Sequence, residues 1–225
     1  NLSFLICLSL FLGSALQQFS LLYTDVANAA FFTIFYVPMV PIIIFLFNRT
    51  SIHWSVWPSV ILCLIGGYLL TNFYNATVRL GDSLVILGAL FWSTHIIFTG
   101  IIVNKYNLPL TLGAAQTFIV ALFSFVIAFI YEEFVYLEIM KEINSILYAG
   151  ILSGGFAFVL QIYAQKNITP APAAIIFSLE GVFATIAAWF ILNQILDINN
   201  LLGCLFILCG VLLSQLLPLV QKKYS

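Results

Sequence analysis

The segment PAPAAIIFSLEGVFATIAAWFIL, residues 170–192, is long and apolar enough to form a membrane helix, yet it carries one charge, Glu180, near its middle. A helix needs about 20 mostly apolar residues to cross the hydrocarbon core of a bilayer. A charged side chain at that depth costs about 3 kcal/mol or more on insertion, so charged residues in membrane helices usually face the interior of a bundle. The segment therefore predicts a transmembrane helix whose carboxylate faces other helices or a cavity.

The composition of the whole chain agrees with a membrane-embedded protein. Of 225 residues, 63% are hydrophobic and only 7% are charged, whereas a soluble domain carries about 25% charged residues. So few charges cannot cover a water-facing surface, which excludes a soluble globular domain and predicts a multi-pass integral protein surrounded by the lipid bilayer. The sequence contains no basic run, so nucleic acid is not an expected partner.

Eight segments are long and apolar enough, or nearly so, to be spans. The predicted fold class is therefore an all-α, polytopic transmembrane helix bundle. The connections are mostly short, and the longest, residues 132–145, is acidic and is expected to lie along the membrane surface. The predicted spans are residues 2–22, 26–47, 56–71, 83–103, 108–131, 146–165, 170–192 and 201–220.

Basic residues outside the spans predict the orientation, because cytoplasmic loops carry an excess of Lys and Arg. With the C-terminus in the cytoplasm, five of the seven basic residues lie on the inner side and two, Arg79 and Lys141, on the outer side. The predicted location is the inner (plasma) membrane of a bacterium. The five inner residues are Arg49, Lys105, Lys166, Lys222 and Lys223.

An internal repeat is visible when ALQQFSLLYTDVANAAFF, which begins at Ala15, is compared with VLQIYAQKNITPAPAAII, which begins at Val159. At this offset of 144 residues, Gln17 aligns with Gln161 and, farther along, Gly66 aligns with Gly210. The two stretches also share one hydropathy pattern. The chain is therefore predicted to contain two repeats, residues 1–80 and residues 81–225.

The two predicted repeats differ in their number of spans. The second contains five spans and the first only three, so two further spans are expected before Asn1. An odd number of spans inverts one copy relative to the other in the membrane. Inverted repeats are common in transporters, which bind substrate near the midplane between the halves.

Two stretches resemble parts of a known domain. The stretch GDSLVILGALFWSTHIIFTGIIV (residues 81–103) is similar to the opening helix of the second EamA domain, with its Gly-Asp start and Ala-x-x-Trp core. Residues 170–213 are similar to the ending of that domain, including a Leu-Glu pair and a closing glycine pair, Gly203 and Gly210. The chain thus resembles an EamA-type member of the drug/metabolite transporter superfamily.

The resemblance covers nearly the whole chain, although two positions depart from the family pattern. Gly181 stands where the family usually has proline, and Asn193-Gln194 stands where a Gly-Glu pair is common. The resemblance implies ten helices in two inverted five-helix repeats, eight of them within this chain. It also implies export or exchange of small metabolites.

Glu180 is the first candidate for a functional side chain. On a helical wheel, small residues gather on its side of the helix, and small residues let membrane helices approach closely. Glu180 is therefore expected to point into the bundle or a cavity, as a substrate contact or a proton-coupling group. The alternative is a structural carboxyl that is protonated or caps a neighbouring helix. The small residues are Ala173, Ala174, Ser178, Gly181, Ala184, Ala187 and Ala188.

Other polar or aromatic residues within the spans are further candidates for substrate binding or proton coupling. A histidine carries protons near neutral pH, and amides in membrane helices either bind a ligand or hydrogen-bond to neighbouring helices. Gln161 and Gln165 are predicted to share one face of their helix. Aromatic side chains either line a pocket or pack. These candidates are His95, Gln161, Gln165, Gln17, Gln116 and Trp92, with Tyr36 and Phe177 as further pocket-lining aromatics.

The sequence favours a secondary transporter over two alternatives, an intramembrane enzyme and a scaffold without transport activity. HExxH is absent, GILSGG (residues 150–155) is a poor match to a serine-protease motif, and phosphate-binding loops are missing, so neither enzyme activity, cofactor nor metal is expected. Polar residues at midplane depth argue against a scaffold. Because the spans contain neither Lys nor Arg, which strongly anionic substrates usually need, neutral, zwitterionic or cationic metabolites are expected. The oligomeric state is left open.

Overall fold

The computed structural model describes residues 2–48, 52–71 and 79–224, and within these ranges the chain is a bundle of helices without strands. Arg49, one of the residues that predict the orientation, lies outside them. The helices are α1 (Leu2–Ser20), α2 (Val26–Thr33), α3 (Tyr36–Asn48), α4 (Val56–Leu70), α5 (Leu80–Tyr106), α6 (Pro109–Tyr131), α7 (Tyr136–Lys141), α8 (Ile143–Leu147), a π-helical segment (Tyr148–Ala157), α9 (Phe158–Gln165), α10 (Pro170–Phe177), α11 (Leu179–Leu192) and α12 (Ile198–Tyr224).

The lengths of these helices confirm an all-α, polytopic membrane bundle. Seven stretches of the described chain are helical, apolar and long enough to cross a membrane. The remaining predicted span corresponds to the shorter apolar helix α4, whose 15 residues extend about 22 Å. That length is less than the hydrocarbon thickness of about 30 Å. The long connection after α6 contains α7 and is exposed, as expected from its acidic sequence.

Two of the predicted spans are interrupted in the middle rather than continuous. The break between α2 and α3 lies at Ile34, and the break between α10 and α11 lies at Ser178, 144 residues later. The backbone dihedrals are nearly the same, φ −58° and ψ −15° at Ile34 and φ −60° and ψ −14° at Ser178. Both breaks are turns tightened by i→i+3 hydrogen bonds, from the Ile34 amide to the Phe31 carbonyl (3.1 Å) and from the Gly181 amide to the Ser178 carbonyl (3.2 Å).

Helices α4 and α12 pack closely through small residues. A Cβ atom added to Gly66 would lie 2.7 Å from the Gly203 oxygen, and one added to Gly210 would lie 2.9 Å from the Ser59 oxygen. Gly66 and Gly210 are 144 residues apart, and so are Ser59 and Gly203. The same contact therefore occurs twice with the roles of the helices exchanged, as an isologous interface requires.

Polar contacts at the α5 N-terminus join it to the α1–α2 connection. The buried Asp82 carboxylate accepts the Arg79 backbone N–H at 2.7 Å and the Asn28 amide at 3.3 Å. Arg79 in turn forms an exposed ion pair of 2.7 Å with Asp25. The Gly-Asp start of the second predicted repeat thus anchors α5, the most buried long helix of the described bundle.

Candidate functional site

A cavity lies at the centre of the bundle, where the two broken helices meet α1, α5 and α9. The cavity volume is about 140 Å³, smaller than the about 300–1,000 Å³ typical of small-molecule sites. The cavity is lined by Gln17, Thr33, Tyr36, Trp92, Ile96, Phe158, Gln161, Phe177 and Glu180.

The position of Trp92 along α5 indicates the depth of the cavity. Trp92 is 12 residues from Leu80 and 14 residues from Tyr106, the two ends of the helix. At 1.5 Å per residue these separations are about 18 Å and 21 Å. The cavity is therefore near the middle of the longest internal helix, the depth at which transporters of the inverted-repeat type bind substrate.

The lining residues include three pairs separated by the repeat offset of 144. The pairs are Gln17 with Gln161, Thr33 with Phe177, and Tyr36 with Glu180. Thr33 and Phe177 are the last residues before the two helix breaks, and Tyr36 and Glu180 lie just after them. The two helix breaks thus place the side chains of Thr33, Tyr36, Phe177 and Glu180 in the lining of one cavity.

Glu180 lies in the first turn of α11 and faces the cavity, in agreement with the helical-wheel prediction. Its carboxylate makes no hydrogen bond or ion pair to another described residue. The small-residue side is buried at Ala173, Ala174 and Ser178. Beyond the break at Ser178 it is not, because Ala184 and Ala187 are exposed.

Tyr36 is the partner of Glu180 at the repeat offset. Its side chain is only 4% exposed, and the hydroxyl has no hydrogen-bond partner among the described residues. The cavity therefore contains a carboxylate and a hydroxyl whose hydrogen-bonding capacity is unused.

An aromatic wall closes one side of the cavity. The Trp92 ring stacks on Phe158 with ring centroids 6.1 Å apart and an interplanar angle of 14°. The Trp92 Nε1–H donates a hydrogen bond to Gln17 Oε1 at 3.2 Å. A Cβ atom on Gly13 would lie 3.3 Å from the Trp92 ring, so the absence of a side chain there leaves room for the indole.

His95, Gln116 and Gln165 lie behind this wall and do not line the cavity. His95 contacts both wall residues edge-on, with ring centroids 6.1 Å from Trp92 and 6.2 Å from Phe158. Its Nε2 hydrogen-bonds to Gln116 Oε1 at 3.1 Å. All three side chains are fully buried, between α5, α6 and α9.

Gln161 and Gln165 have different surroundings, although both lie on α9. Gln161 lines the cavity, whereas the Gln165 amide donates to the Ile96 carbonyl at 3.3 Å and is completely buried. The two residues are one turn apart on α9, but the Gln165 side chain is bonded to the backbone of α5. Helical spacing predicts a common direction and does not show which neighbour each side chain meets.

Four of the seven main sequence candidates therefore meet in the cavity, and three meet elsewhere. Glu180, Gln161, Gln17 and Trp92 line the cavity together with the suggested aromatics Tyr36 and Phe177. Sequence reasoning missed Thr33, Ile96 and Phe158. The repeat offset already paired Thr33 with Phe177 and so contained a usable signal for Thr33, but nothing comparable marks Ile96 and Phe158 among many apolar residues.

Comparisons with known proteins identify relatives of this chain. The EamA-like transporter family matches residues 79–216. An uncharacterized transporter of Archaeoglobus fulgidus is 30% identical over 218 residues, covering 95% of this chain and 68% of that protein. The uncharacterized transporter YoaV of Bacillus subtilis is 27% identical over 135 residues, covering 60% of this chain and 46% of that protein.

The fold also matches that of a solved protein. A crystal structure of a protein 14% identical in sequence superposes with a TM-score of 0.84, covering 99% of this chain and 78% of the other. This likeness concerns the fold alone. The chain spans only part of the length of these similar proteins.

Proposed function

Because the chain belongs to the EamA-like transporter family, we propose that it forms part of a secondary transporter that exports or exchanges small neutral, zwitterionic or cationic metabolites. The observation that carries this proposal is the midplane cavity lined by residue pairs from two broken helices. A secondary transporter needs one site that either half of the protein can close. A scaffold needs no such cavity, and the lining residues form no nucleophile–base pair that an enzyme would use.

The architecture that we propose consists of two inverted repeats, residues 1–80 and residues 81–225. Its support is the recurrence of one offset of 144 residues in three features. These features are the helix breaks at Ile34 and Ser178, the paired cavity residues, and the exchanged contacts of Gly66 and Gly210. Rocking of one repeat against the other around the cavity would open it to each side of the membrane in turn.

Each cavity candidate has a proposed role. Glu180 contacts the substrate and couples its passage to protons, while Gln161 and Gln17 orient polar groups of the substrate. Trp92 forms the wall against which the substrate packs. His95, Gln116 and Gln165, which are sealed behind that wall, hold α5, α6 and α9 together and do not contact substrate.

The proposed location is a prokaryotic plasma membrane with the C-terminus in the cytoplasm. In this orientation Asp25, Leu70, Arg79 and Asn200 are all on the outer side. Two contacts support their common side: Arg79 pairs with Asp25, and the Asn200 side-chain amide donates to the Leu70 carbonyl at 3.2 Å. Single cysteines placed at residues 132–145 test this orientation. Labelling by a membrane-impermeant reagent from the outside supports it, and labelling only from the cytoplasmic side contradicts it.

Transport itself is tested with the full-length protein in proteoliposomes loaded with a metabolite extract. Mass spectrometry of the external solution identifies solutes that leave faster than from protein-free liposomes. For such a solute, Glu180→Gln should abolish the pH dependence of efflux without lowering the yield of folded protein, because the change keeps the size of the side chain and removes its charge. Flux equal to that of protein-free liposomes from well-folded protein would overturn the proposed function in favour of a scaffold.

A further inference from the structure

The described lining of the central cavity contains an acidic side chain and no basic side chain to compensate it. Among the nine described residues that line it, Glu180 is the one with an ionisable acid group, and Lys, Arg and His do not occur. His95, the nearest basic side chain by sequence to the wall, lies behind Trp92 and Phe158. A carboxylate in a low-dielectric site is costly unless a positive charge or a proton compensates it. The lining supplies no such charge, so a ligand with a cationic group would complete it.

The helix breaks leave few backbone amides for an anion. In many transporters the free amides at the N-terminus of a half-helix bind the carboxylate of the substrate. Here the breaks are tight turns, and five of the amides at or next to them are bonded to backbone carbonyls. The bonded amides are those of Ile34 (3.1 Å), Phe35 (3.1 Å), Val37 (2.9 Å), Ser178 (3.3 Å) and Gly181 (3.2 Å). A zwitterion would therefore leave its carboxylate without a matching donor at these positions.

The remaining lining favours the same class of ligand. Four of the nine lining side chains are aromatic, namely Tyr36, Trp92, Phe158 and Phe177. The faces of aromatic rings attract cations, and alkyl or aromatic parts of a ligand pack well against them. Trp92 is held in place by its stack on Phe158 and its hydrogen bond to Gln17, so the orientation of its ring is fixed.

From these observations we infer that the cavity selects organic cations without an anionic group, with Glu180 as the counter-charge and Trp92 and Tyr36 as the aromatic contacts. This inference rests on the proposed function, since it names the substrate class of the same cavity. The inference narrows the three expected substrate classes, neutral, zwitterionic and cationic metabolites, to the cationic class. A neutral solute would lack the positive charge. The carboxylate of a zwitterion would share the cavity with the Glu180 carboxylate, and the lining residues that the structure describes include neither Lys, Arg nor His to compensate it.

A ligand series that changes charge and keeps the aromatic ring tests the inference. The probes are phenethylammonium, phenylalanine, phenethyl alcohol and hydrocinnamate, which are respectively cationic, zwitterionic, neutral and anionic. Binding to the full-length protein in detergent is measured by calorimetry at one pH. We expect phenethylammonium to bind at least about tenfold more tightly than each of the other probes, a factor that corresponds to about 1.4 kcal/mol.

Two variants show whether the preference comes from Glu180. In Glu180→Gln the preference for phenethylammonium over phenethyl alcohol should disappear, while binding of phenethyl alcohol, which reports an intact cavity, stays the same. Glu180→Asp, which keeps the charge, should retain a preference for the cation. In the matched control Glu133→Gln, an exposed carboxylate outside the cavity, affinities for all four probes should be those of the wild type.

Failure of the inference differs from failure of the proposed function. Equal affinities across the series, tighter binding of the zwitterion or anion, no binding of any probe, or a cation preference that survives Glu180→Gln would each overturn the inference. Uptake of phenylalanine or phenethyl alcohol into proteoliposomes would then leave the transporter function standing. Conversely, selective binding of phenethylammonium without counterflow in proteoliposomes would support the cation site and contradict the transport function.

Discussion

The central cavity and the cluster formed by His95, Gln116 and Gln165 contain similar polar residues at similar depth, but their surroundings differ. The cavity opens around Glu180, whose carboxylate has no described partner. The cluster is closed, and His95 is bonded to Gln116. A polar group that faces space is available to a ligand, whereas one that is sealed contributes to the packing of helices. The difference shows that burial alone does not distinguish a binding residue from a structural one.

Removal of the wall between the two regions should have the largest effect. Trp92→Ala deletes the ring that stacks on Phe158 and the hydrogen bond to Gln17. We expect the free energy of unfolding in mixed micelles to fall by about 3 kcal/mol, as for large-to-small changes in a core, and substrate uptake to fall with it. In the control Trp92→Phe, which keeps an aromatic ring, the loss should be smaller. Stability and uptake of Trp92→Ala equal to the wild type would contradict the presence of the wall.

A substitution at the α4–α12 contact, away from the cavity and the His95 cluster, should change stability without changing ligand binding. Gly66→Ala would place a Cβ atom 2.7 Å from the Gly203 oxygen, a backbone atom. We expect the free energy of unfolding to fall by about 2 kcal/mol because overpacking strains the contact, while affinity per folded molecule is unchanged. In the control Gly150→Ala, where nothing lies within 4 Å, stability should be that of the wild type. Equal stability of the two variants would argue against the close contact of α4 with α12.

The structural role of the cluster is tested by removing its two bonded members separately and together. His95→Leu leaves Gln116 without its partner in a buried site, which should lower the free energy of unfolding by about 1–2 kcal/mol. The double variant His95→Leu/Gln116→Leu should recover most of that loss, because neither member of the bonded pair then remains in the buried site. Uptake and its pH dependence should be preserved in the double variant. Loss of that pH dependence would show that His95 carries protons.

An exposed charge pair should have the smallest effect. Arg79 and Asp25 form an ion pair of 2.7 Å at the surface of the bundle. Exposed pairs contribute less than about 1 kcal/mol, so Arg79→Gln should change the free energy of unfolding by less than that amount and leave binding unaltered. A larger loss would indicate that the pair helps to hold the α1–α2 connection against α5.

The sequence indicated residues that line the cavity where it carries a spatial rule. The cost of a charge in a membrane predicted that Glu180 faces inward, and it lines the cavity. The repeat offset aligned Gln17 with Gln161, and both side chains line the same cavity. The first rule concerns a single helix, and the second relates two equivalent helices. Neither rule depends on which other helices pack against them.

The sequence did not indicate the surroundings of a side chain where a neighbouring helix determines them. Gln165 follows the same spacing as Gln161, but α5 covers it and bonds its amide through the Ile96 carbonyl. His95 lies three residues after Trp92 in the sequence, yet the stacked rings separate it from the cavity. The interruption of both spans was also not predicted, because neither Ile34 nor Ser178 is a residue that ends a helix by itself.

The sequence by itself determined that this protein is a membrane-embedded helix bundle, because long apolar segments with 7% charged residues are stable only in lipid. It also determined which side chains are too costly to face lipid. Only the tertiary structure decided which of them share a space. The two tight breaks bring Tyr36 and Glu180 to one cavity, and the stack of Trp92 on Phe158 excludes His95 from it. Both outcomes depend on contacts between helices distant in sequence, and local patterns do not encode these contacts.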